Sequence, residues 1–303
     1  MKEVFKERAF TEASLELIES CNDVVDEYQR QGLTLTLRQL YYQLVSRNII
    51  LNAERAYKNL SSLVSDARLA GYIDWDAIED RIRVPSVPTE FKDLGELVDA
   101  ALYSYRLPRW VDQKYYVELW VEKDALAGVL RPLAKKYHVT LMVNRGYSSQ
   151  SAMYESSRRF LENDGKSGVL LYLGDFDPSG EDMVRDIKER MEMFGVDLAV
   201  VKVALTLDQV RVYNPPPNPA KRKDPRSKEF IKKYGASSWE VDALPPTELN
   251  RIIEAAMKSL VDARKMKLVV KMEEDDKTRL QEAVQKIIKG GQVDGSCSDP
   301  SGV

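Results

Sequence analysis

Acidic residues follow two predicted strands of the chain, and they are its strongest candidates for chemistry. Glu122 comes directly after the apolar run that ends at Val121, and Asp175 and Asp177 come after the run that ends at Leu173. Ligands of open parallel sheets bind beyond the carboxyl ends of the strands, so these carboxylates are expected to converge. Hard oxygen ligands suit Mg²⁺ or Mn²⁺. The spacing therefore predicts a metal site at Glu122, Asp175 and Asp177.

These acids also have a purely structural interpretation. Acidic side chains are common at helix starts, where they cap backbone N–H groups and favour the helix dipole. Asp124 and Ser179 are plausible caps in the same places. Capping accounts for one acid at each strand end, but not for two acids in Asp175-Phe176-Asp177 beside a third on a neighbouring strand. The spacing therefore favours the metal interpretation and leaves capping open.

The amino-acid composition excludes several other kinds of site. The 303 residues include only two cysteines, Cys21 and Cys297, and one histidine, His138. A Cys/His zinc site needs about four such ligands, and a Ser-His-Asp triad would have to use His138. Any metal site in this chain must therefore consist mostly of carboxylates.

The first part of the chain has the spacing of helices. Apolar residues recur at steps of three and four over residues 12–30, a second helix is expected from Thr36, and a third is expected over 54–70. Short strands or a wing are expected at Tyr72–Trp75 and Arg81–Arg83. Helices followed by a wing would form a winged helix-turn-helix, a fold that binds DNA.

From residue 115 the pattern changes to alternating strands and helices. The predicted strands are Tyr115–Val121, Val139–Val143, Val169–Leu173 and Leu198–Leu205. The predicted helices are 124–137, 150–164 and 180–194. This alternation is typical of βαβ units and a parallel sheet, so the predicted fold class is α/β with a helical N-terminal domain.

The acidic motifs stand in order behind an Arg-x-x-Tyr-Tyr motif. Arg38-Gln39-Leu40-Tyr41-Tyr42 precedes Val121-Glu122-Lys123-Asp124-Ala125, which precedes Asp175-Phe176-Asp177-Pro178-Ser179-Gly180. This combination closely resembles the winged-helix and Toprim domains of the topoisomerase VI A subunit and the related meiotic double-strand-break protein. The resemblance covers about residues 30–210. The chain is compact for that family and looks like its shortened, stand-alone A-like members.

The resemblance implies a DNA-cleaving transesterase. Tyr42 would attack a DNA phosphodiester and leave a 5′-phosphotyrosyl link, with Mg²⁺ (or Mn²⁺) at Glu122, Asp175 and Asp177. Arg38 lies one turn before Tyr42 on the same helix face, so it is expected to polarise the phosphate or the phenol. Glu122 is alternatively a general acid toward the 3′-oxygen. The implied partners are double-stranded DNA, a second copy of the chain whose metal site works with this tyrosine, and a separate ATPase B-type subunit.

Several alternatives stay open at this point. Both Tyr41 and Tyr42 are candidates for core packing, and Tyr42 is preferred as the nucleophile on the resemblance. A Toprim nuclease that uses water, a non-catalytic winged-helix DNA-binding protein and an RNA-processing Toprim enzyme would share the same motifs.

The predicted domains follow from these patterns. They are a helical, winged-helix DNA-binding domain with the candidate tyrosine at 1–84, a linker and helix at 85–109, a Toprim domain with a Rossmann-like parallel sheet at 110–212, a proline bridge with a basic segment and helices at 213–289, and a disordered tail at 290–303.

Basic residues are unevenly distributed although the net charge is −3. The runs 34–70, 131–159 and 219–234 are locally basic, and such runs are candidates for phosphate contacts as well as ordinary solvated helix faces. The residues predicted to contact DNA are Arg55, Lys58, Arg68, Lys123 and Arg145. No signal-peptide pattern and no apolar run of ~18 residues is present, so no membrane association is expected. The expected location is cytoplasmic, or nucleoid-associated in a prokaryote.

Overall fold

Eleven α-helices and a four-stranded parallel sheet make up most of the described chain, so the predicted α/β class is confirmed. The computed structural model describes residues 2–78, 88–144, 146–163, 165–219 and 224–290, with side chains up to Lys286. The helices are α1 (Glu12–Gln29), α2 (Leu37–Ser46), α3 (Glu54–Leu69), α4 (Leu94–Ser104), α5 (Ala127–Tyr137), α6 (Gln150–Leu161), α7 (Pro178–Met193), α8 (Leu207–Tyr213), α9 (Ser227–Tyr234), α10 (Pro246–Leu260) and α11 (Ala263–Gly290). The strands are β1 (Tyr115–Val121), β2 (Thr140–Val143), β3 (Ser167–Leu173), β4 (Leu198–Ala204), β5 (Asn218–Pro219) and β6 (Ser237–Ser238).

The chain folds into two compact units. The first contains Met1–Val84 and Lys114–Leu260, and the second contains Pro85–Gln113 and Val261–Val303. The N-terminal helices and the α/β region, expected as successive domains, thus belong to one unit. The expected linker region groups with the last part of the chain instead.

The parallel sheet places the candidate acids at one crevice. Its strand order is β2-β1-β3-β4, and all neighbouring pairs are parallel. The chain leaves β1 toward β2 on one side and leaves β3 toward β4 on the other side. The point where the order reverses lies between the ends of β1 and β3, which is where open α/β sheets bind ligands. Glu122 follows β1 at this point, and Asp175 follows β3.

The sheet is held by side chains that alternate between its two faces. Trp120 of β1 and Tyr172 of β3 are fully buried and belong to one apolar cluster with residues of α6 and α7. Leu119 and Val121 alternate with Trp120 along β1 and are also fully buried. Helix α10 packs against α5 and β4. The sequence of a strand that is buried on both faces is a nearly continuous apolar run. This explains why these strands were predicted from the sequence.

The N-terminal helices form a second apolar core. Thr36 begins α2 with a capping box in which its side chain accepts from the Gln39 N–H, while the Gln39 side chain accepts from the Thr36 N–H. Tyr41 and Tyr42 are both buried in this core. Ala243, from the short 3₁₀ turn Val241–Ala243, belongs to the same core. The segment after the prolines therefore packs directly against the N-terminal helices.

One expectation about secondary structure was wrong. Tyr72–Trp75 contains no strand, because Asp74 accepts the Asp76 N–H at 2.8 Å and begins a 3₁₀ turn at Trp75–Ala77. The helices expected at the end of the 213–289 region are present as α10 and α11. The chain is interrupted at Asp262, whose carboxylate accepts N–H groups of the first turn of α11. Arg81–Arg83 and the tail after Gly290 lie outside the described residues.

A buried carboxylate organises the second unit. Glu273 of α11 accepts hydrogen bonds from the Leu107 N–H at 3.0 Å and from Arg109 at 3.1 Å, and Lys277 binds it at 3.0 Å. Burial by itself raises the pKa of Glu273, but the hydrogen bonds from Lys277 and Arg109 outweigh it, so the pKa is lowered. Neither α11 nor any other described helix is long and apolar enough to cross a membrane.

We predict that Glu273→Gln lowers the free energy of unfolding of the intact chain by about 1–3 kcal/mol at pH 7, because charge-assisted hydrogen bonds are lost. A carboxylate whose pKa is lowered in the folded state contributes its full stabilisation above its unfolded pKa, about 4.3. This stabilisation disappears as the pH falls through the folded-state pKa. The difference between wild type and variant should therefore vanish in acid. Urea unfolding at several pH values measures it, with exposed Glu274→Gln as the control. Equal stabilities at pH 7 would contradict the prediction.

Candidate functional site

A cavity of about 380 Å³ in the first unit collects residues from distant parts of the sequence. Its wall includes Arg38 and Tyr42 from α2, Asp175 and Asp177 from the loop after β3, and Glu240 from the segment after β6. The tyrosine motif and the Asp-x-Asp motif, separated widely in the sequence, therefore border the same space.

The loop after β3 is pinned by the segment that follows β6. The Phe176 N–H donates to the Trp239 carbonyl at 2.8 Å, and the Trp239 N–H donates back to the Phe176 carbonyl at 3.0 Å. The Phe176 ring packs against Phe230 and Tyr234 of α9 and against Trp239. With its central side chain buried this way, the loop presents Asp175 and Asp177 on either side of Phe176.

Asp177 begins helix α7 as its N-cap. Its Oδ1 accepts the Gly180 N–H at 2.7 Å and the Ser179 hydroxyl at 3.0 Å. A Cβ on Gly180 would lie 2.1 Å from the Asp175 carbonyl oxygen, so only glycine allows the helix to start this close to the loop. The capping interpretation is therefore confirmed for Asp177, which also borders the cavity.

Glu122 lies beside Asp175, as the strand order requires. Its Oε2 accepts the Asp175 N–H at 3.1 Å and the Tyr172 hydroxyl at 3.2 Å. Burial and the neighbouring Glu122 charge raise the pKa of Tyr172, so this phenol remains a hydrogen-bond donor. One carboxylate oxygen of Glu122 thus fixes the loop after β3.

The sequence prediction missed two acids of this site, Glu240 and Asp242. Lys123 Nζ lies 2.9 Å from Asp175 Oδ1. It also lies 3.0 Å from Glu240 Oε2 and 3.0 Å from Asp242 Oδ1. The Val241 N–H donates to Asp175 Oδ1 at 2.9 Å, which joins the two segments directly. The two acids have the same spacing in Glu240-Val241-Asp242 as the Asp-x-Asp motif, but no predicted strand preceded them.

These contacts shift the pKa values in opposite directions. Burial raises the pKa of Asp175 to about 7, although the Lys123 charge works against this. Burial also disfavours charge on Lys123, but Asp242, Asp175 and Glu240 outweigh it and raise the pKa of the ammonium. Burial alone would raise the pKa of Glu240, but its neighbours, Lys123 first among them, lower it to about 2. Lys123 and Glu240 therefore stay charged at neutral pH.

The two tyrosines of the motif have different environments. The Tyr41 hydroxyl accepts the Ala53 N–H at 2.9 Å and contacts Asn52 Oδ1 at 3.1 Å, so it fastens the start of α3. Tyr42 instead borders the cavity together with Glu240. Burial and this acid raise the pKa of Tyr42.

Arg38 lies where the motif predicts, near Tyr42. Its guanidinium carbon is 5.9 Å from the centre of the Tyr42 ring. Its Nη2 donates to Glu240 Oε2 at 2.7 Å, and its Nε lies 3.4 Å from Asp242 Oδ2. Arg38 is half exposed, so it reaches the cavity and the acids together.

The predicted DNA-contact residues are dispersed. Lys123 is enclosed by carboxylates, and Arg68 donates to the Trp75 carbonyl and lies over the Trp75 ring. Lys58 pairs with Glu54 on its own helix, and Arg55 is exposed. Arg145 lies outside the described residues.

Within the part of the chain that the structure describes, no group of three His, Cys, Asp or Glu side chains is arranged to hold a metal ion. The acids at the predicted metal site are instead engaged by backbone N–H groups and by Lys123. No family model and no curated protein matches the chain.

The different environments of the tyrosines predict different effects on stability. Tyr41→Phe should lower the free energy of unfolding by about 1–2 kcal/mol, because the Ala53 N–H loses its acceptor. Tyr42→Phe should cost less, because Glu240 keeps its contacts with Arg38 and Lys123. Denaturant unfolding of both variants measures the order. A larger loss for Tyr42→Phe than for Tyr41→Phe would contradict it.

Proposed function

We propose that the chain is a metal-dependent DNA-cleaving enzyme that uses Tyr42 as its nucleophile, in the manner of the topoisomerase VI A subunit that it resembles. The observation that carries the proposal is the cavity in which Arg38 and Tyr42 face Asp175 and Asp177. In this proposal α1–α3 supply the DNA-binding role of a winged helix, and the sheet is a Toprim domain.

In the proposed step, the Tyr42 oxygen forms a bond to phosphorus and the bond to the 3′-oxygen breaks. The phenolic proton finally resides on the 3′-hydroxyl, and the protein keeps the 5′-phosphoryl group. Tyr42 needs help to lose its proton, because burial and Glu240 raise its pKa. Arg38 is placed to compensate charge on the phenol oxygen and on the phosphate.

Oxygen donors at the ends of β1 and β3 fit the chemistry of a hard cation. Glu122, Asp175 and Asp177 are the residues that would hold Mg²⁺ or Mn²⁺, which supplies charge neutralisation at the reacting phosphate when bound. Asp175 stands next to Glu122 and holds a cationic group, Lys123, at 2.9 Å. The donor set thus suits a cation, although Asp175 alone of the three pairs with the Lys123 ammonium in the described structure.

The proposal includes double-stranded DNA as the substrate and a second copy of the chain as the partner, since cutting both strands requires two tyrosines. A separate ATPase B-type subunit is proposed for strand passage. The tyrosine and the acids already border one cavity within a single chain.

A Toprim nuclease that uses water is the second candidate. It is favoured by the raised pKa of Tyr42, which burial and the neighbouring Glu240 cause and which makes this phenol harder to deprotonate. In that case Tyr42 would position Glu240, and cleavage would leave no protein on the DNA.

We predict that supercoiled plasmid incubated with the chain and Mg²⁺ acquires protein-linked 5′ ends, and that Tyr42→Phe abolishes them. Tyr41→Phe is the matched control, because its hydroxyl contacts backbone outside the acid cluster. The assay compares adducts and nicked or linear DNA, with and without a metal chelator and with and without a candidate ATPase subunit.

Undiminished cleavage by Tyr42→Phe without any adduct would reject the tyrosine mechanism in favour of the nuclease. DNA binding without cleavage, equal in wild type and Asp175→Ala, would reject both enzymes. Cleavage of RNA in place of DNA would move the proposal to an RNA-processing enzyme.

A further inference from the structure

Three carboxylates from two separate segments close around one ammonium group. Lys123 Nζ lies 2.9–3.0 Å from oxygens of Asp175, Glu240 and Asp242. Asp175 comes from the loop after β3, and the other two acids come from the segment after β6. Arg38 also pairs with Glu240 and Asp242, so three carboxylates face two cationic groups.

The deepest member of the group has an unused oxygen. Asp242 is fully buried, and its Oδ2 accepts no hydrogen bond from any described group. Arg38 Nε lies 3.4 Å from this oxygen, as an ion pair without hydrogen-bond geometry. Buried carboxylate oxygens are normally satisfied, so this oxygen has capacity for a further cationic partner.

We propose that Asp175, Glu240 and Asp242 form a cation position that Lys123 fills as a tethered occupant, and that a divalent cation binds there by displacing the ammonium. The proposal rests on the proposed function only for its role in cleavage, since cation binding can be measured without DNA. It adds Glu240 and Asp242 to the acids expected from the motifs.

Charge and size favour the exchange. A divalent ion carries twice the charge of the ammonium, and Mg²⁺ binds carboxylate oxygens at about 2.0–2.1 Å, closer than the ammonium does here. The lysine side chain is flexible and 18% exposed, so it has a route out of the cluster. Once displaced, its charge is free to contact a DNA phosphate, the role that the sequence predicted for Lys123.

The exchange also reaches the nucleophile. Glu240 accepts hydrogen bonds from Lys123 and Arg38, and it borders the cavity beside Tyr42. A cation that draws Glu240 toward itself therefore rearranges the contacts around Tyr42.

The proposal is tested by measuring Mn²⁺ binding to the DNA-free, intact chain. Electron paramagnetic resonance reports the concentration of Mn²⁺ that stays free. Lys123→Met removes the competing ammonium, so Mn²⁺ should bind about tenfold tighter or more than it binds wild type. Lys202→Met is the matched control. Its ammonium contacts the Asp175 carbonyl and Glu181 but not the three-carboxylate cluster, so the affinity should not change. Adding Asp242→Asn to Lys123→Met should reverse the gain.

Wild-type protein supplies a test that does not depend on folding of the variants. Without metal, the Lys123 ammonium should react slowly in reductive methylation. Mg²⁺ should increase the methylated fraction of Lys123 several-fold, as measured by peptide mass spectrometry. Unchanged Mn²⁺ affinity in a folded Lys123→Met variant, or Lys123 reactivity that Mg²⁺ leaves unchanged or lowers, would overturn the proposal. Tighter Mn²⁺ binding without any DNA cleavage would reject only the proposed function.

Discussion

The contact between the Lys123 ammonium and its three carboxylates is the interaction on which the rest of the site depends. It joins the end of β1 to the loop after β3 and to the segment after β6. Burying charges costs several kcal/mol for each ion unless they are paired, so neither the lysine nor the acids would be stable there alone. Removing the lysine leaves buried negative charge, and removing an acid leaves the lysine undercompensated.

The segment from Ser237 to Ala243 links this charge cluster to the loop after β3 and to the core of the N-terminal helices. Trp239 pairs with Phe176 through two backbone hydrogen bonds, and Ala243 packs into the core of the N-terminal helices. Because Asp175 follows β3 and Tyr42 lies on α2, this segment is what holds the loop and the helix against each other. The cavity lies where this segment meets the loop after β3 and helix α2.

The sequence was sufficient to predict the sheet and the acids that follow its strands. Tyr115–Val121 was predicted with its observed bounds, because a strand buried on both faces gives a continuous apolar run. The same run located Glu122, and the strand before Asp175 located the Asp-x-Asp motif. The confirmed part of the prediction is thus the part in which local pattern and burial coincide.

Glu240 and Asp242 escaped prediction for a physical reason. They lie in a segment with a two-residue strand and a 3₁₀ turn, whose conformation is set by tertiary contacts rather than by periodicity. The expected strand at Tyr72–Trp75 failed for a related reason, because the cap from Asp74 overrode the β-forming residues. The role of Lys123 was equally hidden, since its partners are distant in sequence.

The coupling energy between Lys123 and Asp242 is the direct measure of whether the ammonium holds the site together. A double-mutant cycle with Lys123→Met, Asp242→Asn and the double variant gives their interaction energy from the free energies of unfolding. Asp242→Asn should be far less destabilising once Lys123 is methionine, with a coupling of about 1–3 kcal/mol. Additive effects of the two substitutions would contradict it, because the ammonium would then not hold the site together.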